Sequence, residues 1–420
     1  MIIKPMVRNN ICLNSHPQGC AQAVQQQIAY IRETLAPGRG PQEPGSPPAG
    51  IPRLVLVVGC STGYGLASRI AAGFGYGAAT VGISLEKAPS AHKPGTPGYY
   101  NNHTFDREAA KAGLKAKTLD GDAYSDELKA EAVQAIRETA AALGMLPQVD
   151  LIVYSLASPA RRDPADGTLY RSVIKPVGQA YEGKTVDMMS GTLGIARAEP
   201  AAEAEIAHTI KVMGGEDWER WIHALAEAQV LSPRVRTLAY TYIGPELSWP
   251  IYKNGTLGRA KEDLERACRA INHSLAAAGL PKARGFVSVN KALVTRSSAV
   301  IPVIPLYVSC LFKVMKAQGL HESCIAQIAR LYRERLYTEA ARQDPDQVPV
   351  DSQGRIRIDD WEMQEGVQKE TRRLMEGVTQ DNILELADVA GFRHDFLEAH
   401  GFEVAGVDYE TDIPSFLPSA

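Results

Sequence analysis

RLVLVVGCSTGYGLASRIAAGFGYGA, residues 53–78, joins two unlike patterns. Its opening RLVLVVG is a continuous apolar run of the kind that lies buried on both faces of a parallel sheet. The glycines Gly59, Gly63 and Gly65 follow, and then small residues at helical spacing. Glycine between a strand and a helix permits a tight turn and lets backbone N–H groups meet a pyrophosphate at the helix N-terminus. The spacing is G-x-x-x-G-x-G rather than the commoner G-x-G-x-x-G, so the flanking strand and helix carry the assignment. ATVGISLE (79–86) reads as a second strand closed by an acid, Glu86. A carboxylate there accepts hydrogen bonds from ribose hydroxyls and repels a 2′-phosphate, favouring NADH over NADPH, with the adjacent Lys87 softening that preference.

The alternation continues outward. KAKTLDGDA (115–123) is a third strand, followed by a helix that Ser125 is placed to cap. VDLIVYSLASP (149–159), VRTLAYTYIG (235–244) and ARGFVSVN (283–290) are the fourth to sixth. Strands alternating with helices predict an α/β fold, a doubly wound parallel Rossmann sheet with right-handed crossovers. Residues from about 160 to 230 form an insertion, whose EDWERWIHALAEAQV puts Trp218, Trp221, Ile222 and Leu225 on one helical face as core. The expected organisation is an N-terminal arm with a Pro/Gly-rich loop (1–52), a cofactor-binding and catalytic domain (53–320) and a helical region (321–420) packed on it. Ligands of such sheets sit beyond the carboxyl ends of the strands. That places Asp122 and Ala123 at the end of strand three, with Asp122 by the adenine, and Ser155, Leu156 and Ala157 at the end of strand four by the nicotinamide ribose.

A net charge of -3 gives no basic face for nucleic acid. MIIKPMVRNN has no apolar core before a cleavage site, and AVIPVIPLYVSCLF (299–312) is too short, with two prolines, to span a bilayer. The latter is expected to enter a buried helix or wall a pocket. Six cysteines without a C-x-x-C pair suit free thiols in a cytoplasmic enzyme, and Cys12, His16 and Cys20 are poorly spaced for zinc.

PIYKNGTLGRAK (250–261) holds Tyr252 and Lys261 nine positions apart. Nine residues of continuous helix turn through about 900°, which would set the two on opposite faces. Gly255 as a break and Thr256 as an N-cap remove that objection: the tyrosine then lies on a loop and the lysine in the helix that follows. A tyrosine hydroxyl can stabilise an oxyanion formed on hydride addition, and an ammonium nearby can hold the cofactor and lower the phenol pKa.

These motifs resemble the trans-2-enoyl-CoA reductase (FabV) family of NADH-dependent enoyl thioester reductases. The likeness runs from MIIKPMVRNNICLNSHPQGC through GCSTGYGLASRIAAGFGYGAAT, DLIVYSLASP, KVMGGEDWERW, YTYIGPELSWPIY and VNKALVTRSSAVIPVIPLY to GFRHDFL, nearly the whole chain. Its Tyr-x8-Lys signature is matched by Tyr252 and Lys261. The resemblance implies that Tyr252 donates the proton, that Lys261 also contacts the cofactor and that Tyr242 contacts substrate. It implies NADH contacts from Gly59, Cys60, Ser61, Thr62, Gly63, Tyr64, Leu85, Glu86, Asp122, Ala123, Leu156, Ala157, Leu293, Val294 and Thr295. Glu262 stands where some members carry a second lysine, so any role of that lysine is missing here. The implied substrates are enoyl-CoA or enoyl-acyl-carrier-protein thioesters of fatty acid synthesis, and the implied state is a monomer. Trp249 leans toward the carrier-protein members. The competing readings are a carbonyl reductase of short-chain dehydrogenase type and a non-catalytic NADH-binding sensor.

Overall fold

The computed structural model describes residues 2–8, 10–36, 50–296, 298–299, 301–413 and 416. Seven strands build the central sheet: β1 Leu54–Val58, β2 Ala79–Ser84, β3 Ala116–Asp120, β4 Val149–Tyr154, β5 Leu231–Thr241, β6 Arg284–Val289 and β7 Ile356–Arg357. Their order in space is β7-β6-β5-β4-β1-β2-β3, and every neighbouring pair is parallel. The winding reverses between β1 and β4, the point at which a doubly wound sheet opens a crevice.

The apolar run of β1 is buried along its whole length because helices cover both faces of the sheet. On one side lie α1 Pro17–Leu35, α2 Gly63–Ile70, α3 Pro97–Lys111 and α9 Cys324–Leu331. On the other lie α4 Asp126–Ala141, α6 Glu216–Glu227 and α7 Thr256–Ala277, whereas α5 Glu203–Met213 packs on α7. A third apolar core contains Tyr252, Leu293 and Val294 together with α8 Ile304–Ala317, α10 Glu365–Gly377 and α11 Val389–Glu398. The apolar run of 299–312 leads into α8 and forms its first turns, with Pro305 in the first of them, and most of its described residues line this third core.

Several local expectations hold. The Ser125 Oγ accepts the Leu128 N–H at 3.1 Å and caps α4. Trp218, Trp221, Ile222 and Leu225 are all buried, and the indoles also find acceptors: Thr237 Oγ1 at 2.7 Å and the Ala123 carbonyl at 3.1 Å. All six cysteines are free. His16 caps α1, its Nδ1 accepting the Gly19 N–H at 3.1 Å, and burial lowers its pKa to about 4.

Other expectations change. β3 ends at Asp120 and β4 at Tyr154, so Asp122, Ala123, Leu156 and Ala157 sit on the loops beyond them. β5 starts earlier, at Leu231, and shifts register between Leu231 and Arg236, a span that contains Pro233. β7 went unseen in the sequence: it is two residues long, at the sheet edge, inside the charged RIRIDD. The insertion holds two antiparallel hairpins, Ala160–Arg162 with Leu169–Arg171 and Tyr181–Val186 with Leu193–Ala198, before α5 and α6. Most of the Pro/Gly-rich loop, 37–49, lies outside the described residues. No described helix is long and apolar enough to cross a membrane.

Candidate active site

The glycine turn leaves β1 at Gly59, which takes φ +87°. A Cβ at Gly59 would strike the Ser155 carbonyl, and one at Gly65 would strike the Gly59 carbonyl, so both positions require glycine. The Gly59 and Cys60 N–H groups share the Ile83 carbonyl at 2.9 and 3.0 Å. The N–H groups from Ser61 to Gly65 find no acceptor among the described residues, and Thr62, the N-cap of α2, supplies no side-chain cap. These free donors at a helix start suit an anion. Thr295 closes over the turn, its Cγ2 being 3.9 Å from where a Gly63 Cβ would stand.

Glu86 lies beside this turn, two residues past β2. The Ser61 hydroxyl donates to its Oε1 at 2.6 Å, its own N–H donates to Asp120 Oδ1 at 2.8 Å, and Gly98 leaves the carboxylate its space. Among the described residues the cation in ion-pair contact with it is Arg296, at 3.8 Å, and Lys87 is exposed. Leu85, immediately before Glu86 and just past the end of β2, is 71 % exposed. The Asp122 carboxylate turns back to accept the Tyr124 N–H at 3.0 Å. The Ala123 carbonyl is held by Trp221 Nε1 and by Lys129 Nζ, each at 3.1 Å. Lys129 in turn pairs with Asp217 at 2.9 Å, both buried, so the loop after β3 rests on a buried ion pair. Leu156 is partly buried near Gly59, and Ala157 is exposed.

Tyr252 and Lys261 reach their places through an unusual helix start. α7 begins at Thr256 itself, and the N-cap is Gly255. The Thr256 hydroxyl does not cap, because it donates to the Val173 carbonyl at 2.6 Å and accepts the Lys175 N–H at 3.3 Å. The carbonyl of Tyr252 caps in its stead, accepting the N–H groups of Gly255 and Gly258, both at 3.0 Å. Gly258 is required because a Cβ there would strike the Lys253 carbonyl. The side chain of Tyr252 is buried, with its ring edge-on to Tyr242 at 5.1 Å and 79°. Its hydroxyl has no hydrogen-bond partner among the described residues. Burial pushes the phenol pKa upward, and Lys261 does not oppose the shift, contrary to the expected acidifying effect. Lys261 is half-buried, donates to the Tyr240 carbonyl at 3.1 Å, and burial lowers its pKa to about 8. Lys253 stands apart, its Nζ 3.7 Å from the Trp249 ring centroid.

Sequence reasoning missed the groups beneath these residues. The Tyr242 hydroxyl donates to Glu362 Oε1 at 3.0 Å, and Tyr307 of α8 donates to the same oxygen at 2.6 Å. The Ala292 N–H donates to Glu362 Oε2 at 2.6 Å. Lys291 is buried nearby, donates to the Ala292 carbonyl at 3.0 Å, and its pKa falls to about 8 through burial. In DDWEMQEG, Glu362 reads as one more solvated acid, and no local signal separates it from its neighbours.

Comparison with known proteins matches this chain to three family models: the catalytic region of trans-2-enoyl-CoA reductase over residues 93–337, its NAD(P)H binding domain over 2–91, and an enoyl reductase FAD binding domain over 350–413. The trans-2-enoyl-CoA reductase [NADH] of Treponema denticola is 54% identical over 416 residues, 99% of both chains. The enoyl-[acyl-carrier-protein] reductase [NADH] of Opitutus terrae is 48% identical over 419 residues, 100% of both. The crystal structure of the Treponema denticola reductase in complex with NAD superimposes with TM-score 0.89 over 98% of each chain. The Clostridium acetobutulicum trans-2-enoyl-CoA reductase in complex with NADH, 39% identical, gives TM-score 0.89 over 98% of each chain.

The glycine turn, its free N–H groups and Glu86 fit a dinucleotide. The described part of 350–413 does not fit a flavin in the same way. It has no glycine turn between a strand and a helix, and α10 and α11 commit their apolar faces, Val367 and Leu374 with Phe392 and Phe396, to the third core.

Proposed function

The chain belongs to the trans-2-enoyl-CoA reductase family, and on that premise we propose that it reduces the C2–C3 double bond of trans-2-enoyl thioesters with NADH. The observation that carries this reading is the Tyr252 hydroxyl, kept protonated by burial and unclaimed by any described residue, in the core that also holds Leu293 and Val294. NADH, when bound, supplies hydride to C3 of the substrate. Charge then gathers on the thioester oxygen as an enolate, which the Tyr252 hydroxyl stabilises by hydrogen bonding; Tyr252 donates the proton that completes the saturated product at C2 and is reprotonated from solvent. Tyr242 backs the Tyr252 ring and bounds the acyl group. Lys261 holds the cofactor from the first turns of α7. The N–H groups from Ser61 to Gly65 take the pyrophosphate, and Gly59 and Cys60 shape that turn. Glu86 receives the adenosine ribose, and the exposed Leu85, with Asp122 and Ala123, borders the adenine. Leu156, Ala157, Leu293, Val294 and Thr295 enclose the nicotinamide half.

The substrate is a thioester on phosphopantetheine, carried by coenzyme A or by acyl carrier protein; both names occur among the relatives. We place the enzyme in the cytoplasm as a monomer, a setting that suits six free thiols. The test is NADH oxidation with crotonyl-CoA, dodecenoyl-CoA, the matching carrier-protein thioesters and simple ketones. Turnover of the thioesters and none of the ketones is expected. Ketone reduction with inert thioesters would refute the reading, and NADH binding without either would make the chain a sensor.

A further inference from the structure

We propose that Glu362 is the positioning residue of this site, joining the substrate-side tyrosine to the cofactor-side loop through its two carboxylate oxygens; the proposal rests on the functional reading above. Glu362 is 0% exposed, and a buried carboxylate is tolerated only when its oxygens are satisfied. Here three donors from three separate elements converge on it. Tyr242, just past β5, and Tyr307 in α8 reach Oε1, and the Ala292 N–H, just past β6, reaches Oε2. One oxygen therefore anchors the ring that packs edge-on against Tyr252. The other anchors the start of the segment carrying Leu293, Val294 and Thr295.

The carboxylate is itself held rigidly. The turn before it is tied to the sheet, the Ile358 N–H donating to the Val289 carbonyl at 3.0 Å. The buried Arg330 donates to Asp360 at 2.7 Å and to the Ile358 carbonyl at 2.8 Å, and its guanidinium lies 4.1 Å from the Trp361 ring centroid. From α10, Gln368 Nε2 donates to the Glu362 carbonyl at 2.7 Å and to the Tyr307 hydroxyl at 3.2 Å. Gly244 at φ +65° passes so close that a Cβ would meet the Tyr242 hydroxyl. Tyr242 is thus confined between the Gly244 backbone, the Tyr252 ring and Glu362. A shift of about 1 Å in such a group can cost on the order of 10²-fold in rate. The segment matched by the flavin-named family model therefore serves the site through Glu362.

The two oxygens predict separable effects. In Glu362→Gln the amide oxygen keeps the Ala292 N–H, since that donor has no alternative, and the NH₂ faces the phenols, so Tyr242 loses its acceptor. The expected result is kcat lower by about tenfold or more per NADH-binding site, with NADH affinity within about threefold. Glu362→Leu removes both acceptors and is expected to weaken NADH binding as well. Tyr242→Phe should reproduce the kcat loss alone, and the double variant Glu362→Gln/Tyr242→Phe should be no slower than the worse single variant. Wild-type kcat per site in Glu362→Gln, or losses that multiply in the double variant, would overturn the proposal. Should Glu362→Leu fail to fold, the Gln variant and the double variant still decide. Tyr252→Phe is the control: if it stays active the role given to Tyr252 in the functional reading fails, whereas an inactive Tyr252→Phe beside a fully active Glu362→Gln removes only the positioning role.

Discussion

Replacing Tyr252 by Phe separates chemistry from folding unusually well. The phenol hydroxyl has no partner among the described residues, so its removal breaks no protein hydrogen bond of the kind that contributes about 1 kcal/mol. The ring stays, with its edge-on contact to Tyr242 at 5.1 Å. The backbone carbonyl that caps α7 is untouched. Unfolding free energy should therefore change by less than about 0.5 kcal/mol. Lys261 keeps its bond to the Tyr240 carbonyl, so NADH affinity, read by fluorescence titration, should stay within about twofold. Turnover is the exception: loss of one donor to a developing oxyanion costs about 10²–10³ in kcat, or about 2.7–4 kcal/mol. The assay is NADH oxidation with crotonyl-CoA alongside urea unfolding of the same preparation. A kcat within about threefold of the parent refutes the assignment of Tyr252. So does a stability loss above about 1 kcal/mol, because the hydroxyl would then have a structural partner.

Gly65→Ala should abolish NADH binding, because its methyl would strike the Gly59 carbonyl in the turn itself; a titration with unchanged affinity would contradict the tightness of that turn. The Lys261 pKa near 8 lies below the ordinary lysine value of about 10.4, so the ammonium is lost as pH rises through about 8. NADH affinity should accordingly be level below that pH and decline above it, and Lys261→Met should give a weaker but flat profile by fluorescence titration. Lys129→Met leaves the buried Asp217 without its counter-charge and should cost about 3–5 kcal/mol in urea unfolding. The double variant Lys129→Met/Asp217→Leu should recover most of that loss, since both charges then leave the interior together.

The frame of the molecule was legible where the signal is local and repeated. The all-apolar run of β1 and its glycines state a buried strand and a turn within a dozen residues, and the Ser125 cap is a contact between near neighbours. Thr256 shows how tertiary contacts override such rules. A threonine before a helical stripe is a sound N-cap by propensity, but its hydroxyl is taken by residues 173 and 175 of the insertion, far away in sequence. β7 escaped because two residues carry no period, and its pairing is settled by the neighbouring β6. Glu362 escaped for a related reason: a carboxylate becomes singular only when three distant donors are folded around it. The cation beside Glu86 was read as Lys87 because sequence offers only its neighbours, whereas the fold brings up Arg296.

The capping carbonyl of Tyr252 has a mechanical consequence. The reactive side chain and the helix that carries Lys261 share one backbone knot, so the loop between them works as a ruler of fixed length. Its outer corner, Lys253 and Asn254, is open to substitution, since both are exposed and Lys253 only rests on Trp249. Its length is not. One added residue between Tyr252 and Gly258 would break the closure of carbonyl on N–H and uncouple tyrosine from helix. The five residues between Tyr252 and Gly258 are thus the amount of chain needed to turn a loop back onto the first turn of a helix and hold it there, and three further helical positions carry the spacing to Lys261.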